Sequence, residues 1–146
     1  MQRILVCLDS SPRAALVLAA AADLAQRTGA RMALLRAVGL PPELERLVSV
    51  QRGADIIEEL TTTAKLDLAA LAKDVPDRAI DGLHVHIGTP WDTICREAKT
   101  LDCDVVVLGS HGYGVLDRIV GTTAAKVVNH CDRSVFVVRP RPDTTA

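Results

Sequence analysis

The amino-acid sequence predicts an α/β domain built on a doubly wound, open, five-stranded parallel sheet. Short apolar runs alternate five times with helix-patterned segments, and the connections are long enough for parallel crossovers. The chain is 49% hydrophobic with only 2% aromatic residues. Its core must therefore be made of Ala, Val, Leu and Ile packed between layers, which suits helices laid on a sheet. At 146 residues the chain fits one domain, residues 1–146, large enough to bury roughly 70% of its unfolded surface.

Residues 4–8 form the first short apolar run. Ser10-Ser11-Pro12 follows, a hydroxyl cap before a proline in the first helical turn. The Ala- and Leu-rich stretch 14–27 has strong helix propensity, and Thr28-Gly29 ends it at a residue free to take the left-handed cap. Residues 32–38 make a second strand, buried on both faces to judge by Met32-Ala33-Leu34-Leu35. Pro41-Pro42 breaks the chain, and Gly53 interrupts a potential long helix, so a variable loop or short helical turn is expected between them. From Ala54 to about Lys73, Ile56, Ile57, Leu60, Ala64, Leu68 and Leu71 recur at helical spacing, and Val75-Pro76 closes that amphipathic helix.

Leu83, Val85 and Ile87 alternate with His84 and His86, the pattern of a third strand at a sheet edge. Thr89-Pro90-Trp91-Asp92 resembles a capping box with Asp in place of Glu and Pro at the first helical position; Ile94, Cys95 and Ala98 of that helix face the sheet. Residues 105–108 give the fourth strand, 122–130 the fourth helix and 135–138 the fifth strand, with a short tail at 140–146.

The fourth strand empties into Gly109-Ser110-His111-Gly112, and Gly121-Thr122-Thr123 opens the next helix. Gly109 and Gly112 allow positive φ and close approach of a ligand to the backbone. The helix start offers free N–H groups and the positive end of its dipole to an anion. A plain strand-to-helix connection accounts for the glycines as well, but the two segments together would surround one pocket with phosphate donors. His111 either donates to a phosphate or faces solvent. Asp9, ending the first strand, caps the following helix, binds a ligand, or does both. His84 and His86 share a strand face, more in keeping with a half-exposed surface than with a metal site.

These residues resemble the universal stress protein family. Its nucleotide-binding members carry Gly, two residues, Gly, nine residues, Gly, then Ser or Thr; here eight residues separate Gly112 from Gly121. The segments 3–11 and 132–140 are also similar to the family, and the likeness spans nearly the whole chain, weakest over about 39–79, which it implies is the variable segment of the domain. The resemblance implies a Rossmann-like sheet of order 3-2-1-4-5 and a ligand, ATP with Mg²⁺, at the ends of strands one and four. It places Asp9 beside the adenine, flanked by Cys7 and Leu8, with Ala37 or Val38 closing the base pocket. Leu108 and Gly109 would also face the nucleotide, and Gly112, Gly121, Thr122 and Thr123 would contact phosphate. Ala124 falls where binders often carry another hydroxyl.

The function expected is an ATP-binding stress-response module. ATP would favour one conformation of residues 110–120 and a protein partner of unspecified identity would read it. The rivals are a dimeric interaction module without nucleotide, or a slow ATP hydrolase or phosphotransferase. The chain lacks the GxxxxGK[ST] loop of efficient phosphoryl transfer, so at most weak ATPase activity is expected.

Lys and Arg number 17 against 18 Asp and Glu, a formal charge of −1, so no net field draws in nucleic acid. The chain opens on a strand rather than a charged leader, and no apolar run approaches the ~20 residues of a membrane span; a cytoplasmic protein is expected. The four cysteines lack CxxC spacing and are read as reduced thiols. The fifth strand, Val135, Phe136, Val137 and Val138, would be a sheet edge with unpaired backbone, which predicts a homodimer closed through it.

Overall fold

Successive residues of a strand point to opposite faces of a sheet, and both faces of the central strands are covered here, so the apolar runs of the sequence are buried along their length. The computed structural model describes residues 1–40, 51–110 and 120–141, the side chains of 51 and 52 excepted. Its strands are β1 (Arg3–Cys7), β2 (Arg31–Val38), β3 (Ile80–Ile87), β4 (Val105–Gly109) and β5 (Ser134–Val138). The α-helices among the described residues are α1 (Ala14–Thr28), α2 (Gln51–Ala72), α3 (Pro90–Thr100) and α4 (Thr122–His130). Neighbouring strands are all parallel, in the order β3-β2-β1-β4-β5.

Ile4, Val6, Met32, Leu34, Val105 and Val107 pack on one face with Val17, Leu18 and Ala21 of α1 and Leu68 of α2. Leu5, Ala33, Leu35, Val106 and Leu108 pack on the other with Ile94 and Ala98 of α3 and Ala124 and Val127 of α4. Each fully buried Leu, Ile or Val contributes about 1.5–3 kcal/mol, so the sheet is held from both sides. The winding reverses between β1 and β4, and a crevice opens beyond their carboxyl ends, between α1 on one face and α4 on the other.

Four local readings need correction. The hydroxyl cap at Ser10-Ser11 does not start α1. Arg13 is its N-cap, and the helix begins at Ala14. Ahead of it, the Ser11 N–H donates to Asp9 Oδ1 at 2.9 Å and the Arg13 N–H to Ser11 Oγ at 3.3 Å; these side chain to backbone turns compete with the first helical turn. Gly53 lies inside α2 and is buried, so the helix begins before it. The cost of one helical glycine, about 1 kcal/mol, is offset by burial of Ala64, Leu68 and Ala72 along one stripe.

Thr89 is the N-cap of α3 with Pro90 next, as expected, and its carbonyl accepts the first helical bond from the Thr93 N–H at 3.0 Å, yet no side-chain cap bond forms there. Gly109 stays in β4 opposite Val138 and does not take a positive φ. The positive-φ glycines among the described residues are Gly29, which caps α1, and Gly82. Gly82, at φ +106°, sits on edge strand β3 where the register against β2 shifts between Met32 and Leu34. Of the loop expected after Pro41, residues 41–50 lie outside the described residues. No described helix is long and apolar enough to cross a membrane.

Candidate functional site

The carboxyl end of β1 is tied down before it reaches the crevice. The Leu8 N–H donates to the Leu35 carbonyl at 2.9 Å, and Arg36 Nε donates to the Leu8 carbonyl at 2.6 Å within the core. Arg36 is buried, and its Nη1 lies 3.8 Å from Asp67 of α2. Past this clamp the chain emerges at Asp9, which is exposed and engaged with the Ser11 N–H.

The end of β4 is tied in a matching way. The Ser110 N–H donates to the Val138 carbonyl, and the Ser110 carbonyl accepts from the Gly121 N–H. Chain leaving the sheet at Ser110 thus returns to the same point at Gly121, the N-cap of α4. The first bond of α4 runs from the Ala125 N–H to the Gly121 carbonyl at 3.0 Å. The N–H groups of Thr122, Thr123 and Ala124 precede it, at the positive end of the helix.

Between these two strand ends lies a cavity of about 300 Å³. It brings together nine of the residues singled out in the sequence: Cys7, Leu8, Asp9, Ala37, Leu108, Gly109, Gly121, Thr122 and Thr123. Val38 is not among its walls; it lines an adjoining cavity of about 590 Å³ between β2 and α2 that shares Asp9 and Ala37 with the first. His111 and Gly112 lie outside the described residues.

Sequence reasoning missed Ser11 and Arg13 on the α1 side and Pro90 and Ile94 on the α3 side, all in the cavity wall. Ala124, noted only as a missing hydroxyl, is there too. Arg36 was also missed. Its signal was a charged residue inside an apolar strand, which has to find a buried partner.

The charged side chains among the described lining residues are Asp9 and Arg13. Burial pushes the Cys7 thiol above the ordinary thiol range, and neighbouring Cys103 adds to this. Cys7 is thus a neutral, small apolar wall rather than a nucleophile. Burial also raises Cys95, beside Cys131, and Cys103 to about 11, and all four cysteines are free. His86 Nε2 lies 3.3 Å from Glu97 of α3. Among the described residues no group of three or more His, Cys, Asp or Glu is placed to hold a metal ion.

A model of the universal stress protein family matches residues 1–139. Universal stress protein G of Salmonella typhimurium is 38% identical over 56 residues, 38% of this chain, and the match spans about two fifths (39%) of the length of that relative. A universal stress protein solved in complex with cAMP superposes with a TM-score of 0.60 at 18% identity, covering 94% of this chain and 96% of that one. The universal stress protein from Archaeoglobus fulgidus in complex with dAMP superposes with a TM-score of 0.62 at 20% identity, covering 95% and 98%. At these identities the two structures share the fold with this chain.

Proposed function

As the chain belongs to the universal stress protein family, we propose that it binds an adenine nucleotide, with ATP and its Mg²⁺ as the working ligand, and serves as a nucleotide-dependent stress-response module. The observation that carries this reading is the cavity of about 300 Å³ at the switch point of the sheet, where Asp9, the end of β4 and the N-terminus of α4 converge. Its volume is at the lower end of small-molecule sites, and the adjoining cavity past Asp9 and Ala37 extends it. Two relatives of the same fold are solved with cAMP and dAMP bound.

The chemistry divides along the cavity. Leu35, Ala37, Ile94 and Leu108 offer an apolar bed for a base, and the Asp9 carboxylate offers an acceptor to an exocyclic amino group. The leading N–H groups of α4 and the Thr122 and Thr123 hydroxyls offer donors to phosphate oxygens, each charge-assisted bond contributing on the order of 1.5–3 kcal/mol. Mg²⁺ would arrive on the phosphates, because the described walls of the cavity where α4 begins supply one carboxylate, Asp9. The nucleotide is then held as a signal, and a homodimer closed through β5 would present it to a partner.

Calorimetric titration with ATP, ADP, AMP and cyclic AMP tests the proposal, alongside mass spectrometry of natively purified protein. Micromolar ATP binding is expected. No heat and no protection from unfolding with any of the four ligands would overturn it in favour of an interaction module without nucleotide.

A further inference from the structure

We infer that Arg13 grips the phosphate group of the bound nucleotide from the wall opposite α4, and so sets the preference of the cavity for a phosphorylated ligand over a nucleoside. This role presupposes the nucleotide reading above. The two helices flanking the crevice sit on opposite faces of the sheet, α1 against Ile4 and Val6 and α4 against Leu5 and Val106, yet both begin at the carboxyl ends of their strands. Arg13, N-cap of α1, and Thr122 and Thr123, opening α4, line the same cavity. A phosphate seated on the leading N–H groups of α4 therefore meets the α1 wall on its other side.

Arg13 is the cation among the described lining residues. The N-terminus of α4 carries the equivalent of about half a charge, whereas a guanidinium is a full charge, stays protonated at every working pH and matches two phosphate oxygens at once. Its root is held in place. The Arg13 N–H donates to Ser11 Oγ, and its carbonyl accepts from the Val17 N–H at 3.1 Å. A half-buried position weakens solvent screening and strengthens the attraction.

Wild type, Arg13→Gln and Arg13→Lys should be titrated with ATP, inorganic tripolyphosphate and adenosine, with circular dichroism to verify the fold. Arg13→Gln is expected to weaken ATP and tripolyphosphate by about 10- to 150-fold while adenosine changes by less than twofold. Arg13→Lys, which keeps the charge and loses the fork, should fall between. A folded Arg13→Gln protein that binds ATP as wild type does would overturn the role, as would an equal loss for adenosine and ATP. Wild-type protein that binds none of the three would instead overturn the nucleotide reading, and the role of Arg13 with it.

Discussion

Asp9 has two tasks that one substitution separates. Its Oδ1 accepts the Ser11 N–H at 2.9 Å, and Ser11 is only 6% exposed, so Asp9→Ala strands a donor that water reaches poorly. A lost cap-type bond costs about 1 kcal/mol, within a range of roughly 0.5–2. In a chain of this size that lowers the melting temperature by about 2–4 °C per kcal/mol. Asp9→Asn keeps an acceptor in place and should stay within about 0.5 kcal/mol of wild type. On the ligand side, a bond from an adenine amino group to a charged carboxylate contributes about 1.5–3 kcal/mol, or about 10- to 150-fold in affinity. Asp9→Ala should thus weaken ATP by that factor and leave tripolyphosphate unchanged or slightly tighter, since a negative charge has been removed. Paired calorimetric titrations and thermal melts read both effects. Equal losses for the two ligands would refute base recognition by Asp9, and an unaltered melting temperature would refute its structural role.

Leu68 of α2 is fully buried beside Ile4, Val6 and Met32; Leu68→Ala should cost about 2–5 kcal/mol in urea unfolding, and a loss below about 1 kcal/mol would show that α2 does not anchor that face. The N–H groups of Arg3 and Gln2 donate to Asp104, at 3.0 and 2.7 Å, and hold its carboxyl below its ordinary 3.8. A carboxylate lowered by folding stabilises fully above 3.8 and loses that contribution as pH falls through the folded value. Wild type should therefore exceed Asp104→Asn in urea midpoint at pH 6, with the gap closing toward pH 2.5; a gap that widens on acidification would contradict the sign. The Val138 carbonyl faces β4 through Ser110, so the N–H of Val137, one residue earlier, faces the open edge of β5. Val137→Pro removes that donor without breaking the β4 ladder and should shift a dimer toward the 15.6 kDa chain in light scattering. A wild-type protein already at that mass at micromolar concentration would rule out the dimer.

The architecture was legible because its signals are local. Ile4 to Leu8, Met32 to Val38 and Val105 to Leu108 are apolar runs of strand length, and Gly29, Pro90 and Gly121 mark helix ends that the structure places at those residues. The misses are also physical. Glycine propensity at position 53 concerns an isolated helix, and it yields once the helix packs on β2 and β3, with Leu68 and Ala72 in the core and Ala64 buried on the same stripe. Ser11 was an acceptable cap on composition, but Asp9 and Ser11 offer the same backbone donors an alternative turn, and the balance between turn and cap depends on where β1 releases the chain.

The site was legible only in part, because side-chain alternation and long-range register decide which residues enter it. Ala37 and Val38 were equivalent candidates in the sequence. In the sheet their side chains point to opposite faces, and only Ala37 reaches the first cavity. Ala37 shares the face of Leu35 and joins it in the first cavity while also bordering the second, whereas Val38 shares the face of Arg36 and lines only the second. Arg36 stood out as a charge inside an apolar strand, but what it pairs with was illegible for the same reason. Its partner, the Leu8 carbonyl, is 28 positions away in the chain and comes within reach only through the parallel register that sets Cys7 against Leu35. That bond and the one from the Leu8 N–H to the Leu35 carbonyl tie the end of β1 to β2 just ahead of Asp9. A carboxylate that looks like a local feature of the first strand thus follows a strand end held by the second, through contacts that only the parallel register brings together.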